Sequence, residues 1–109
     1  MAEAPTLLVA DDDPAVRESL ERTLKREGYQ VVVASDGQAG LEQLKAGGVD
    51  LVLADLKMPG LSGIELLRAA KTVAPDVDVI MLTAFGTVEE AVQAMKDGAY
   101  DFLTKPFQR

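Results

Sequence analysis

Leu51-Val52-Leu53-Ala54-Asp55 is the stretch of sequence that decides the fold. Four consecutive apolar residues are typical of a parallel strand that is covered on both faces, and this strand ends on a carboxylate. Taken alone, Asp55 is most simply the first residue of a turn, because Pro59-Gly60 follows and Pro-Gly pairs mark loops. The residues at the ends of the other strands decide between a turn residue and a functional one.

The composition indicates one small globular domain and excludes several kinds of chemistry. The chain has 109 residues, 48% of them hydrophobic, with no apolar run long enough to cross a membrane. It has no cysteine and no histidine, which excludes disulfides, thiolate and imidazole metal ligands and Ser-His-Asp triads. A net charge of −7 argues against direct binding to nucleic acid or an anionic membrane. Because residues 1–5 do not resemble a signal peptide, we expect a cytoplasmic protein.

Apolar strands alternate with amphipathic helices along the chain. We predict strands over residues 6–10, 29–34, 51–54, 77–83 and 100–104, and helices that begin at Asp13-Pro14, Asp36-Gly37, Ser62 and Thr87. Ser62-x-x-Glu65 and Thr87-x-x-Glu90 are capping boxes. This alternation predicts a flavodoxin-like, doubly wound α/β fold with a five-stranded parallel sheet in the order 2-1-3-4-5. Right-handed crossovers place the first helix on one face and the other three on the opposite face.

The fourth helix carries an apolar stripe at helical spacing. Its members are Val88, Ala91, Val92 and Met95. A stripe of this kind more often faces the core than a partner, so we predict that these side chains are buried.

In the predicted strand order, polar side chains stand at four adjacent strand ends. Asp11 and Asp12 follow the first strand, Asp55 ends the third, Thr83 ends the fourth and Lys105 follows the fifth. Neighbouring carboxylates repel one another, so we expect a bound cation, and Mg²⁺ prefers such oxygen ligands. Asp55 is the best candidate nucleophile, since an Asp carboxylate can form an acyl phosphate. Lys105 and Thr83 would then contact phosphoryl oxygens.

Each of these residues also has an ordinary structural explanation. Asp13 is expected only to cap a helix, and Asp11 and Asp12 taken singly are solvated acids. Lys105 is a loop charge, Thr83 a strand-end hydroxyl and Phe102 a core residue.

Two other functions of the protein also stay open. A flavodoxin-type binding protein is disfavoured because no phosphate-binding loop follows the first strand. An aspartyl-nucleophile phosphatase would use the Asp11-x-Asp13 spacing but needs a cap domain for which the chain has no room.

Four segments resemble the signatures of the receiver domains of bacterial two-component response regulators. They are Leu8–Asp13, Leu53–Gly60, Leu82–Ala84 and Thr104–Phe107. The resemblance implies that Asp55 is the phosphoacceptor and that Asp12 is a direct Mg²⁺ ligand. It further implies that Asp11 acts through water or as a second ligand, and that the backbone carbonyl of Lys57 completes the protein's share of the ligands.

The same resemblance implies a partner and a switch. The phosphoryl donor would be the phosphohistidine of a sensor histidine kinase, and Thr83 and Phe102 would shift when Asp55 is phosphorylated. Lys105-Pro106 would be a cis peptide. Lys57 and Phe85 would tune the lifetime of the acyl phosphate, in a direction that the sequence does not give.

Two features concern what lies outside the domain. Segments 83–87 and 95–107 are similar to receivers of enhancer-binding transcription activators, which implies an output domain beyond residue 109 that regulates transcription.

Receivers normally have a fifth helix, and this sequence ends before one. A single helix about 10 Å wide would then cover five strands spaced about 4.8 Å apart, leaving much of that face bare. We expect residues beyond 109, a homodimer or a domain swap to cover it.

Overall fold

The computed structural model describes residues 4–83 and 87–104. Its elements are β1 (Thr6–Ala10), α1 (Pro14–Arg26), β2 (Gln30–Ala34), α2 (Gly37–Ala46), β3 (Leu51–Asp55), α3 (Gly63–Val73), β4 (Asp78–Thr83), α4 (Val88–Lys96) and β5 (Asp101–Thr104). All the predicted strands and helices are present, and the ends of the strands and the starts of the helices agree with the predictions to within about one residue.

The strands form one parallel sheet in the order β2-β1-β3-β4-β5. The predicted order is therefore confirmed. The register pairs Ala10 of β1 with Ala54 of β3, and Asp55 with Leu82 of β4. The carboxyl ends of β1, β3 and β4 consequently meet at one edge of the sheet.

Two hydrophobic clusters cover the two faces of the sheet. The larger joins strand residues such as Leu8 and Val52 to Leu44 of α2, Leu66 of α3 and Ala94 of α4. The smaller is built from Val9, Leu53 and Leu82 and receives Leu20 and Leu24 of α1. The predicted division of the helices, one against three, is confirmed.

The face that α1 covers is less bare than the sequence indicated. Leu53 and Leu82, in the centre of the sheet, are buried, whereas Leu103 on β5 is 41% exposed. The expectation of a largely bare face is wrong at the centre, where Leu20 and Leu24 of α1 pack against the cluster. Exposure is concentrated at the β5 edge, and a second copy or a swapped segment as its cover stays a prediction.

The predicted burial of the α4 stripe is wrong for Val88, Val92 and Met95, whereas Ala91 is half-buried. Val88 is 80% exposed, Val92 46% and Met95 48%, whereas Ala94 is fully buried. Helix α4 lies over the edge of the sheet and contacts it through Ala94, a side chain small enough for close approach. Helical spacing alone does not distinguish a stripe of large apolar residues from a neighbouring stripe of small ones.

The first turn of α3 is fixed by a reciprocal pair of hydrogen bonds. The Glu65 amide donates to Ser62 Oγ at 3.2 Å, and the Ser62 amide donates to Glu65 Oε1 at 2.8 Å. We expect Ser62→Ala to lower the free energy of unfolding, measured with urea, by about 1 kcal/mol, because one helical amide loses its acceptor. Ser19→Ala, on the exposed face of α1, is the control and should not destabilise the protein. An equal loss in both variants would contradict the capping role.

Candidate functional site

Three carboxylates meet at the carboxyl ends of β1 and β3. Asp11, Asp12 and Asp55 each place one carboxylate oxygen within 4.8 Å of the other two. Asp11 is 0% exposed and Asp55 8%, while Asp12 is open to solvent. The pairing of Ala10 with Ala54 explains this meeting, because the next residue on each strand is an aspartate. The cluster expected from the sequence is therefore present.

Asp11 and Asp13 accept different hydrogen bonds in the turn that follows β1. Asp11 Oδ1 accepts a hydrogen bond from the Asp13 amide at 2.9 Å, and its backbone carbonyl accepts one from Arg17 Nη1 at 2.8 Å. Asp13 caps α1 by accepting from the Ala15 amide at 2.9 Å, as predicted. The interpretation of Asp11 as a solvated acid is wrong. Because Asp13 is engaged as a helix cap, its position gives no support to a phosphatase with an Asp-x-Asp pair.

The backbone after β3 holds Asp55 in place. The Lys57 amide lies 3.5 Å from Asp55 Oδ1. The Leu56 amide donates to the carbonyl of Leu82 at 2.7 Å, and the Gly63 amide donates to the carbonyl of Leu56 at 3.0 Å. The carboxylate is thus carried by a backbone that is tied both to β4 and to the start of α3.

Two glycines that the sequence analysis did not single out shape this region. A Cβ on Gly63 would lie 2.2 Å from the Asp55 carbonyl oxygen, and one on Gly37 would lie 2.1 Å from that of Leu61. Both glycines begin helices, where glycine is a poor helix former. That unfavourable choice of residue is the signal that indicates close backbone approach.

The proposed switch residues share one face of the sheet. Thr83 is buried at the end of β4, and Phe102 pairs with Met81 and packs partly against the larger core cluster. Because side chains alternate along a strand, Thr83 and Met81 point to the same face. Phe102 makes the core contact expected of it, and the relay stays a prediction. Phe85, Lys105 and the Lys105-Pro106 peptide lie outside the described residues.

An open depression of about 550 Å³ adjoins the carboxylate cluster. Its charged lining residues are Asp12, Lys57 and Glu90. Lys57 Nζ lies 3.4 Å from Glu90 Oε2, while Glu90 Oε1 accepts a hydrogen bond from the Thr87 amide at 3.1 Å. The Thr87 hydrogen bond, with a smaller contribution from Lys57, lowers the pKa of Glu90. The sequence predicted Glu90 as a capping residue, but it did not predict the contact with Lys57.

The donor atoms of the cluster suit a hard divalent cation. Asp11, Asp12 and Asp55 offer three carboxylate oxygens, which Mg²⁺ and Ca²⁺ both accept as ligands. A bound cation would also offset the mutual repulsion of three negative groups so close together. The residues present therefore fit the expected Mg²⁺.

Comparison with known proteins identifies the family. A sequence model of the response regulator receiver domain matches residues 7–109. The chain belongs to the response regulator receiver domain family. The receiver domain is 37% identical over 107 residues to the C4-dicarboxylate transport transcriptional regulatory protein DctD of Rhizobium meliloti, covering 98% of this chain and 23% of that protein. It is 43% identical over 101 residues to the response regulator MprA of Mycolicibacterium vanbaalenii, covering 93% of this chain and 44% of that protein.

Solved structures agree with this assignment. The receiver domain matches a response regulator protein from Burkholderia pseudomallei, crystallised with a phosphorylated aspartic acid, a calcium ion and citrate. The TM-score is 0.90 at 33% identity, over 95% of this chain and 61% of that one. The expected resemblance to receivers of transcriptional regulators is confirmed. The chain spans less than half the length of the two curated relatives named above.

Membrane insertion finds no support in the helices of the receiver domain. Within residues 4–83 and 87–104, none of them is both long enough and apolar enough to span a bilayer.

Proposed function

We propose that the receiver domain is a phosphorylation-dependent signalling switch that accepts a phosphoryl group on Asp55. The observation that carries the proposal is the cluster of Asp11, Asp12 and Asp55 at one edge of a receiver-type sheet. A related structure holds a phosphorylated aspartic acid and a calcium ion, which supports the same chemistry for this chain.

The transfer forms one bond and breaks another. A carboxylate oxygen of Asp55 attacks the phosphorus of a phosphohistidine, the new O–P bond forms as the N–P bond breaks, and the leaving imidazole takes up a proton. Asp11, Asp12, Asp55 and the backbone carbonyl of Lys57 would hold Mg²⁺. When bound, the cation supplies positive charge against the phosphoryl oxygens. A sensor histidine kinase is the donor that a response regulator receiver domain would use, and this chain contains no histidine of its own.

The remaining site residues act around the phosphoryl group. The Thr83 hydroxyl and the Lys105 ammonium donate to its oxygens, which positions the group and balances its charge. Thr83 and Phe102 then change position together and alter the surface of the domain. We propose that an output domain in a longer protein reads this change and regulates transcription, since the relatives are longer and include a transcriptional regulatory protein.

Cation binding tests the proposal directly. We expect Mg²⁺, titrated by calorimetry, to bind Asp12→Asn about 10–100-fold more weakly than the unmodified chain, because a ligand charge is lost. Phosphoryl uptake from phosphoramidate, followed by intact mass, should require Mg²⁺ and stop when a chelator is added.

Asp13→Asn is the matched control. It removes the same charge one residue away, and Asn caps a helix about as well as Asp. We expect its Mg²⁺ affinity to stay within about twofold of the unmodified chain, because Asp13 does not belong to the carboxylate cluster. Equal weakening in both variants, or uptake that is independent of Mg²⁺, would contradict the assigned cluster.

A further inference from the structure

We propose that Glu90 is a positioning residue that holds the Lys57 ammonium away from Asp55 until a phosphoryl group arrives and competes for it. The inference rests on the proposed function and adds to it a residue on α4 that senses the charge state of Asp55. It also predicts how the loop after β3 is released from α4.

Lys57 contacts both Asp55 and Glu90. Its backbone amide lies 3.5 Å from Asp55 Oδ1, while its side-chain ammonium lies 3.4 Å from Glu90 Oε2. The residue therefore connects the proposed acceptor, through its backbone, to the first turn of α4, through its side chain. A change of charge on Asp55 acts on the residue that makes the second contact.

Glu90 makes two contacts with two different oxygens. Oε1 accepts from the Thr87 amide at 3.1 Å and closes the capping box of α4, whereas Oε2 faces Lys57. Loss of Lys57 would leave the capping bond in place. The ion pair is thus separable from the helix cap, and its rupture frees α4 from the loop without unwinding the helix.

The balance of charge favours release of the Lys57 side chain from Glu90 when Asp55 is phosphorylated. The Lys57 side chain is 68% exposed and that of Glu90 is 32% exposed, and ion pairs at this level of exposure are weak. A phosphoryl group carries roughly two negative charges near neutral pH, against one on Glu90. The Lys57 ammonium, on a flexible stem two residues after Asp55, therefore moves to the phosphoryl group, and Glu90 loses its ion-pair partner.

Beryllofluoride with Mg²⁺, a noncovalent stand-in for the phosphoryl group, is the probe. Its affinity is measured from ¹⁵N amide shifts at saturating Mg²⁺. We expect Glu90→Gln to bind it about two- to fivefold more tightly, because the competing charge is gone while the amide oxygen still caps α4. In a Lys57→Gln background the same substitution should have no effect. The Val88 amide should shift on binding in the unmodified chain and less in Glu90→Gln.

Glu65→Gln is the matched control. Glu65 occupies the same position in the capping box of α3, and no ion pair to it occurs among the described residues. We expect its beryllofluoride affinity to be unchanged. Tightening in Glu65→Gln, or an effect of Glu90→Gln that persists without Lys57, would overturn the inference. Binding to the unmodified chain without any effect of Glu90→Gln overturns only this inference, whereas no binding to the unmodified chain overturns the proposed function as well.

Discussion

Asp55→Asn is expected to abolish phosphoryl uptake. The amide has nearly the shape of the carboxylate and retains an oxygen to face the Lys57 amide, but its oxygen is too weak a nucleophile to form an acyl phosphate. The chain is incubated with phosphoramidate and Mg²⁺ and examined by intact mass. We expect one added phosphoryl group on the unmodified chain, lost on treatment with hydroxylamine, and none on the variant.

Asp78→Asn is the control for this experiment. Asp78 is exposed at the amino end of β4, the opposite end of the sheet from Asp55. It should take up the phosphoryl group as the unmodified chain does. Far-ultraviolet circular dichroism shows whether both variants are folded. Continued uptake by folded Asp55→Asn would mean that a different residue is the acceptor.

The carboxylate cluster was predictable because it follows from topology. Once the apolar runs ending at Ala10 and Ala54 are assigned to neighbouring parallel strands, the residues after them must meet at one edge. The helix starts were predictable for a local reason, since Asp13, Ser62 and Thr87 bond to amides only two or three residues away. Neither inference needs any knowledge of side-chain packing.

The features that were predicted wrongly, or not predicted, have a different physical cause. The exposed stripe of α4 was assigned to the core because periodicity reports amphipathicity and does not report which side meets the sheet. The Lys57–Glu90 pair joins residues that are far apart in the sequence, and its geometry depends on where α4 sits against the loop after β3. The roles of Gly63 and Gly37 depend on backbone distances that no sequence pattern encodes.

Gly63→Ala is expected to destabilise the fold and disturb the site together. The added Cβ would lie 2.2 Å from the Asp55 carbonyl oxygen and 2.8 Å from the Leu56 Cα. Backbone atoms cannot rotate away as a side chain can, so α3 must move off β3 or the end of β3 must shift. We expect the free energy of unfolding, from urea denaturation, to fall by about 3 kcal/mol. The affinity for beryllofluoride should fall as well, because the displaced backbone carries the Asp55 carboxylate.

Gly40→Ala separates this steric effect from the general effect of adding a methyl group to a helix. Its Cβ would meet the flexible Leu66 Cδ2 at 3.3 Å, and alanine favours a helix over glycine by about 1 kcal/mol. We therefore expect a change within about 1 kcal/mol and no loss of beryllofluoride affinity. A Gly63→Ala protein as stable as Gly40→Ala would show that the end of β3 yields without cost. The contacts of the Asp55 side chain would then position its carboxylate, and the close approach of α3 to β3 would not contribute.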